Sequence, residues 1–195
     1  NSVVLNGVYN RTISKAEALM HRFGFKYVTN NWRDIINDGA TNAISVATAN
    51  VFHEDPVIMA ADKRINILCE KPLGINYEQA KRMYEKVKEA KVINSTALVM
   101  RFMPSVIFAS NLINSGKLGK IYHYRAVVAH SRFVNPDLPI EWRRKKEIAG
   151  GGALADIGIH LIDLARYLIG EVKEVSAITK IFIKERKTRD GGTDY

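Results

Sequence analysis

One cysteine, Cys69, is all that the 195-residue chain contains, so no internal disulfide can form and no cysteine cluster supports a zinc site. That thiol sits in the apolar run from Ile65 to Cys69, where a buried cysteine behaves as a small hydrophobe, and this fits a reducing compartment. No run approaches the roughly 18 apolar residues that would span a bilayer. The first residues lack the basic start, apolar core and small-residue cleavage site of a secretory leader. Internal repeats and low-complexity tracts are also missing. With 47% hydrophobic and 25% charged residues, overall disorder is excluded, and a soluble cytoplasmic protein with no membrane partner is expected.

What is present in excess is positive charge. The formal net charge is +9, with clusters at Arg143-Arg144-Lys145-Lys146 and at Lys184, Arg186, Lys187 and Arg189. A polyanion-binding module would show such clusters, and strongly salt-dependent binding would be its mark. A solvated face, with a few cations that hold an anionic cofactor, shows them too. Basic and aromatic residues do not interleave as they do in single-strand binders, so no nucleic-acid partner is expected.

Hydrophobic patterning predicts alternating strands and helices up to about residue 100. Ser2 to Asn10 reads as a buried strand, and Ser14-Lys-Ala-Glu17 as a capping box that opens a helix with an Ala16, Leu19, Met20, Phe23 stripe, stopped at Gly24. A short helix over Trp32 to Asn37 and a strand over Ala43 to Ala47 follow. A helix from Glu54 to Lys63 then leads to a strand over Ile65 to Cys69. Asn76 and Gln79 cap the next helix, whose stripe is Ala80, Met83, Tyr84 and Val87, before a strand near Ile93 to Met100. Alternation of this kind predicts an α/β fold, a parallel sheet with ligands at the carboxyl ends of its strands. After Arg101-Phe-Met-Pro104 the pattern changes to a helix reaching Ser115, a long strand over Ile121 to Ala129, a basic loop, a helix over Ala153 to Ile169 and a strand over Glu174 to Ile183. Residues 1–100 and 101–195 are therefore expected to form two domains. The second is α+β, with an open, mostly antiparallel sheet.

Two places carry chemistry. On the helix after Gly152, Asp156 and His160 are one turn apart, with Asp163 and Tyr167 further along the same face. A carboxylate beside an imidazole suits a general acid/base, because the acid orients the ring while the ring exchanges a proton with a hydroxyl. The same spacing also fits a polar helix face with an ordinary i,i+4 pair. Lys71 lies just past a strand end in Glu70-Lys71-Pro72, where it could stabilise a developing alkoxide or be a solvated lysine in a turn.

Glu70-Lys71-Pro72 together with Gly150-Gly-Gly-Ala-Leu-Ala-Asp156-Ile-Gly-Ile-His160-Leu-Ile-Asp163 resembles the paired signatures of the glucose-fructose oxidoreductase, inositol dehydrogenase and rhizopine catabolism family. The resemblance covers nearly the whole chain. It implies a Rossmann-like dinucleotide-binding domain over 1–100, a substrate and oligomerisation domain over 101–195, and a homodimer or homotetramer. It also implies an NAD(P)-dependent dehydrogenase that moves hydride between a carbinol carbon of a sugar, polyol or related molecule and nicotinamide. His160 would then be the proton acceptor, Lys71 the group that polarises the hydroxyl, and Asp156 the one that positions the centre. Thr48, Asn50, His53, Glu70, Arg101 and the pair Trp142-Arg143 match positions that line the cofactor pocket, although Trp142 also suits a loop anchor. A non-catalytic regulator on the same fold is the alternative, and retention of the lysine, aspartate and histidine together argues against it.

The sequence departs from that family in three places. Ala49 stands where the family often has proline. No Gly-x-Gly-x-x-Gly turn occurs, although the family's opening strand ends in one that receives the pyrophosphate. The chain begins at what looks like the family's second strand, so both its start and its end at Gly191 to Tyr195 are expected to be incomplete. Finally, Asn10-Arg11 ends the strand whose terminal acid would bond an adenosine ribose and repel a 2′-phosphate; a neutral residue beside a cation favours NADP over NAD.

Overall fold

The computed structural model describes residues 3–131, 134–188 and 193–194. Ser2 at the head of the first expected strand, Arg189 of the second basic cluster, and Gly191 and Tyr195 at the end lie outside the described residues. Residues Asn1–Ala97 and Leu98–Tyr195 form two compact units.

The first unit alternates as expected. Strand β1 (Gly7–Tyr9) leads to helix α1 (Ile13–Phe23) and then to a short strand that the patterning did not mark, β2 (Tyr27–Thr29), which pairs with β1 in parallel. Helix α1 does not begin with the expected Ser14 capping box. Thr12 is its N-cap, because the Lys15 amide already donates to the Thr12 carbonyl at 3.0 Å, and an Asx turn in which the Asn10 side chain accepts from the Thr12 amide at 2.9 Å leads into it. Gly24 closes the helix in the left-handed conformation, φ 78°, as anticipated. Of the predicted stripe only Ala16 is fully buried, and Phe23 stays half exposed.

Helix α2 (Trp32–Asn37) is capped by Asn31, and β3 (Ala43–Val46), α3 (Glu54–Asp62), β4 (Asn66–Cys69), α4 (Tyr77–Ala90) and β5 (Asn94–Thr96) complete the unit. Strands β3, β4 and β5 make a three-stranded parallel sheet in that order, separate from the β1–β2 pair. Period-two alternation decides which face is covered. Val46, Ile67 and Cys69 are buried in the cluster that Val57, Ala60, Ala61, Met83 and Val87 of α3 and α4 complete, whereas Leu68 on the other face is 45% exposed. Burial, followed by the nearby Glu70 charge, pushes the Cys69 thiol up to about 12, so it packs as a neutral hydrophobe. Asn76 caps α4 by accepting from the Gln79 amide at 2.8 Å. Tyr84, expected in the stripe, is exposed.

The second unit departs more from expectation. Helix α5 (Pro104–Asn114) forms, and Gly116 and Gly119, both at positive φ, close the turn after it. The strands expected over 121–129 and 174–183 do not form. Among the described residues of this unit, strand pairing is confined to antiparallel β6 (Arg186–Lys187) and β7 (Thr193–Asp194). A strand needs a partner to satisfy its amides and carbonyls. Neither segment has one, and Tyr122, Val127, Val175 and Ile178 remain on the surface. Helix α6 (Lys146–Ala149) is a single turn ended at Gly150, φ 86°, before the helix that carries the second signature. By length and mean hydropathy the stretch Lys146–Leu168 could cross a bilayer; the break at Gly150 and the buried Asp163 within it are features of a helix packed in a domain.

Arg186, read above as part of a basic surface cluster, is buried. Its Nη1 donates to the carbonyls of Asn135 at 2.7 Å and Leu138 at 3.1 Å, so this cation anchors the 135–138 loop.

Candidate active site

Each unit presents its own set of candidate residues. In the first, the carboxyl ends of β3 and β4 run into two polar turns. The turn after β3 carries Thr48, Ala49 and Asn50, then a short 3-10 piece over Asn50–Phe52 and His53. Thr48 Oγ1 donates to the Phe52 carbonyl at 3.2 Å, and Asn50 is buried. The turn after β4 carries Glu70 and Lys71, followed by a cis bond to Pro72. Glu70 Oε2 accepts from the Lys71 amide at 3.1 Å, and the Glu70 amide donates to the Val46 carbonyl at 2.8 Å, which ties the root of this turn to β3. Lys71 is half-buried.

His53 was expected to line the cofactor pocket. The ring has no exposed surface, so whatever it offers a ligand passes through the backbone it holds. Its Nδ1 lies 3.1 Å from the Pro72 carbonyl oxygen and 3.3 Å from that of Leu73, and its Nε2 lies 3.0 Å from that of Thr48. Gln79, which the sequence pattern marked only as a helix-capping residue, makes a second tie: Oε1 accepts from the Ile75 amide at 2.7 Å and Nε2 donates to the Val51 carbonyl at 3.3 Å. Bidentate bonding of Arg82 to Glu54 makes a third tie between α4 and α3 and holds the Glu54 carboxyl below the ordinary range. At the end of β1, Asn10 is partly buried and Arg11 is exposed.

In the second unit Asp156 lies on a π-helical turn, Leu154–Gly158, and His160 on the first turn of helix α7 (Ile159–Leu168). The helix is therefore not α-helical from its start as the i,i+4 argument assumed. Wide turns of this type recur at functional sites because they shift the register of one face. The burial is also inverted: the polar residues His160 and Asp163 are buried, whereas Leu154, of the apolar stripe, is 58% exposed. For Asp163 the reason is an ion pair. Arg101, on a 3-10 piece over Val99–Phe102, donates from Nε to Oδ2 of Asp163 at 2.8 Å and from Nη2 to Oδ1, and its guanidinium stacks 5.1 Å from the Tyr167 ring. Arg101 was expected to face the dinucleotide, and Asp163 had been given no role. A buried acid on the second signature needs a cation partner, and Arg101 was the signal in the sequence that could have supplied it. Trp142 opens a 3-10 turn, Trp142–Arg144, half-buried, with the exposed Arg143 stacked 4.4 Å above its ring.

Hydroxyl, ammonium and carboxylate groups thus stand at the ends of β3 and β4, and groups of these kinds can bond the hydroxyls and amide of a nucleotide. The glycine-rich turn that would receive a pyrophosphate is not in this sequence. Among the described residues no group of histidine, cysteine and carboxylate side chains is arranged to hold a metal.

Comparison with known proteins gives two family matches. Residues 1–98 match the oxidoreductase family with an NAD-binding Rossmann fold, and residues 106–194 match the GFO/IDH/MocA C-terminal domain. Levoglucosan dehydrogenase of Pseudarthrobacter phenanthrenivorans is 40% identical over 173 residues, 89% of this chain and 44% of the relative. The scyllo-inositol 2-dehydrogenase (NAD(+)) of Bacillus subtilis is 30% identical over 168 residues, 86% of this chain and 47% of the relative. A solved levoglucosan dehydrogenase in complex with NADH and L-sorbose superposes with a TM-score of 0.94 at 36% identity, covering 98% of this chain and 51% of that one. The chain thus spans about half the length of the relatives it matches.

Proposed function

The chain belongs to the Gfo/Idh/MocA oxidoreductase family, and from that premise we propose that it serves in a cytoplasmic NAD(P)-dependent dehydrogenase acting on a hydroxyl of a sugar, polyol or anhydro-sugar. The observation that carries the proposal is the joint presence of Glu70-Lys71-Pro72 at the carboxyl end of β4 and of Asp156 and His160 on the π-turn and α7. The 40% identity to a levoglucosan dehydrogenase supports it.

When bound, the nicotinamide cofactor supplies the hydride acceptor or donor. The protein's task is the proton. The Lys71 ammonium donates a hydrogen bond to the substrate hydroxyl and stabilises negative charge on that oxygen as the carbon is oxidised. His160 takes the hydroxyl proton as general base, and Asp156, one turn earlier, orients the ring and favours its protonated form. Thr48, Asn50, Glu70, Trp142 and Arg143 are assigned to the walls of the cofactor pocket. The residue pair Asn10-Arg11 argues for NADP. An Arg can equally stack on adenine, and the relatives named above carry NADH or NAD(+) in their descriptions; NAD(H) is therefore the cofactor we assign. The assembly assigned to the complete protein is a homodimer or homotetramer.

The test is a titration of NADH and NADPH into the complete protein, followed by a screen of levoglucosan, inositols and aldoses with the cofactor that binds. Micromolar binding, and substrate-dependent reduction of the oxidised form of that cofactor, bear the proposal out. A folded protein that binds neither cofactor overturns it and leaves a non-catalytic binding module.

A further inference from the structure

Lys71 sits on a turn whose course its own sequence does not determine. The chain leaves β4 at Cys69, passes Glu70, Lys71, Pro72, Leu73 and Gly74, and enters α4 at Tyr77. Beyond the bonds at Glu70 and Lys71 already described, ties from outside the turn hold it. The His53 ring, fully buried, lies against the carbonyls of Pro72 and Leu73 on one edge and that of Thr48 on the other. Gln79, also buried, joins the Ile75 amide to the Val51 carbonyl. Close packing supports both ties: a Cβ on Gly74 would lie 2.9 Å from the Ala80 backbone nitrogen and 3.0 Å from Gln79 Oε1, so the turn is pressed onto the start of α4.

We propose that His53 and Gln79 are positioning residues that stitch the Lys71 turn to the Thr48–Asn50 turn, and so set where the Lys71 ammonium stands relative to the bound nicotinamide nucleotide. The proposal rests on the reading of Lys71 as the group that polarises the hydroxyl. The two edges of the ring have separate tasks. The Nδ1 edge faces the carbonyls of the Lys71 turn and the Nε2 edge that of the Thr48 turn, and an N–H on either edge ties down the turn it faces. Misplacing a reacting group by about 1 Å is enough to cost up to roughly a hundredfold in rate, so a side chain that touches neither substrate nor cofactor still governs turnover.

The side chain of asparagine places an amide nitrogen near the position of Nδ1, and that of glutamine places one near the position of Nε2. In the complete enzyme, His53→Asn should therefore keep kcat within about threefold while weakening NADH binding, whereas His53→Gln should lower kcat by at least about tenfold with NADH affinity little changed. In a Lys71→Ala background the kcat loss from His53→Gln should disappear, because that loss acts through Lys71. Gln79→Leu, measured the same way on the second stitch, should also lose kcat only when Lys71 is present. Thermal melting shows which variants are folded, and the two amide variants and Gln79→Leu are judged on whichever of them fold. A merely structural histidine would lower the melting temperature in both amide variants with kcat unaltered, and that result overturns the proposal. So does a kcat loss of the same factor with and without Lys71. Low turnover in Lys71→Ala together with full turnover in His53→Gln overturns the stitch alone; full turnover in Lys71→Ala overturns the reading of Lys71 and the stitch with it.

Discussion

Arg101 and Asp163, 62 residues apart in the chain, close a bidentate ion pair in which the carboxylate is 4% exposed and the guanidinium 35%. The pair fixes α7 to the segment that precedes α5, and so fixes the helix that carries His160. Removing one partner of a buried pair strands the other in a poor solvent. Because the guanidinium is partly solvated, Asp163→Asn is expected to cost about 2 kcal/mol of stability, below the range of roughly 3–5 for fully buried pairs. Arg101→Lys should cost nearly as much, since an ammonium does not reproduce the fork. Urea unfolding of the complete protein measures both, and a change under about 0.5 kcal/mol in either would show the pair to be incidental.

If Lys71 and His160 handle the hydroxyl proton, their loss is felt in catalysis and not in cofactor binding. Lys71→Ala and His160→Ala are each expected to lower kcat at least roughly a hundredfold, with the dissociation constant for the cofactor changed by less than about threefold. Steady-state kinetics and fluorescence titration separate the two effects. Near-normal turnover in both variants removes these residues from the mechanism.

Arg11 gives a direct handle on cofactor choice. If it stacks on adenine without meeting a phosphate, Arg11→Ala should weaken NADH and NADPH by similar factors. If it bonds a 2′-phosphate, NADPH affinity should fall at least about tenfold while NADH is nearly unchanged. The ratio of the two dissociation constants before and after the substitution reads the answer.

Asp38 makes the stability of the first unit depend on acid. Its carboxylate accepts from Tyr27 Oη at 2.7 Å, Asn6 Nδ2 at 2.6 Å, Thr41 Oγ1 at 3.0 Å and the amides of Ala40 and Thr41, both at 2.9 Å. Burial opposes its charge, but these bonds, that of Tyr27 foremost, outweigh it and hold the carboxyl below the ordinary carboxylate range. A lowered folded pKa stabilises above the unfolded value near roughly 4, and that contribution is lost as the pH falls through the folded one. The melting temperature should therefore decline below about pH 4, and Asp38→Asn should be less stable than wild type at neutral pH while losing less on acidification. Parallel acid curves for the two proteins would contradict this.

At Gly7 a side chain has nowhere to go. A Cβ there would lie 2.5 Å from the Tyr27 ring, whose hydroxyl is held by Asp38 and cannot swing aside without breaking that bond. Gly7→Ala should cost about 1–3 kcal/mol, as overpacking does, and Tyr27→Phe in the same chain should recover part of it. Equilibrium unfolding of the single and double variants decides the matter.

The first unit was legible in the sequence because its signals are local. The Asn76 cap, the Gly24 stop and the short apolar strands each depend on neighbours a few residues away, and the expected helices and strands appeared within one or two residues of their bounds, except that the first and fifth strands came out shorter; β2, three residues long, was missed. The 121–129 and 174–183 segments were misread for the opposite reason. Alternation records that a residue run could lie on a sheet, but a ladder also requires a partner, and alternation carries no information about one. The candidate site divides along the same line. Lys71, Asp156 and His160 stood out through motif and spacing, while the ties of His53 to Pro72, of Gln79 to Val51 and of Arg101 to Asp163 join residues 19, 28 and 62 positions apart and leave no periodic trace.

The π-turn over Leu154–Gly158 also bears on how length variation can be tolerated here. An insertion in the glycine run Gly150-Gly151-Gly152 would be absorbed before the helix begins. Deleting a single residue inside the turn would let it collapse into ordinary α-helix, with Asp156 three or four residues before His160 and so still on the same face. Arg101 and Asp163 lie outside the turn, and their pairing would be untouched. A natural variant shortened by one residue at this point would keep its acid beside the imidazole, so the turn is a place where the helix can lose a residue without losing its register.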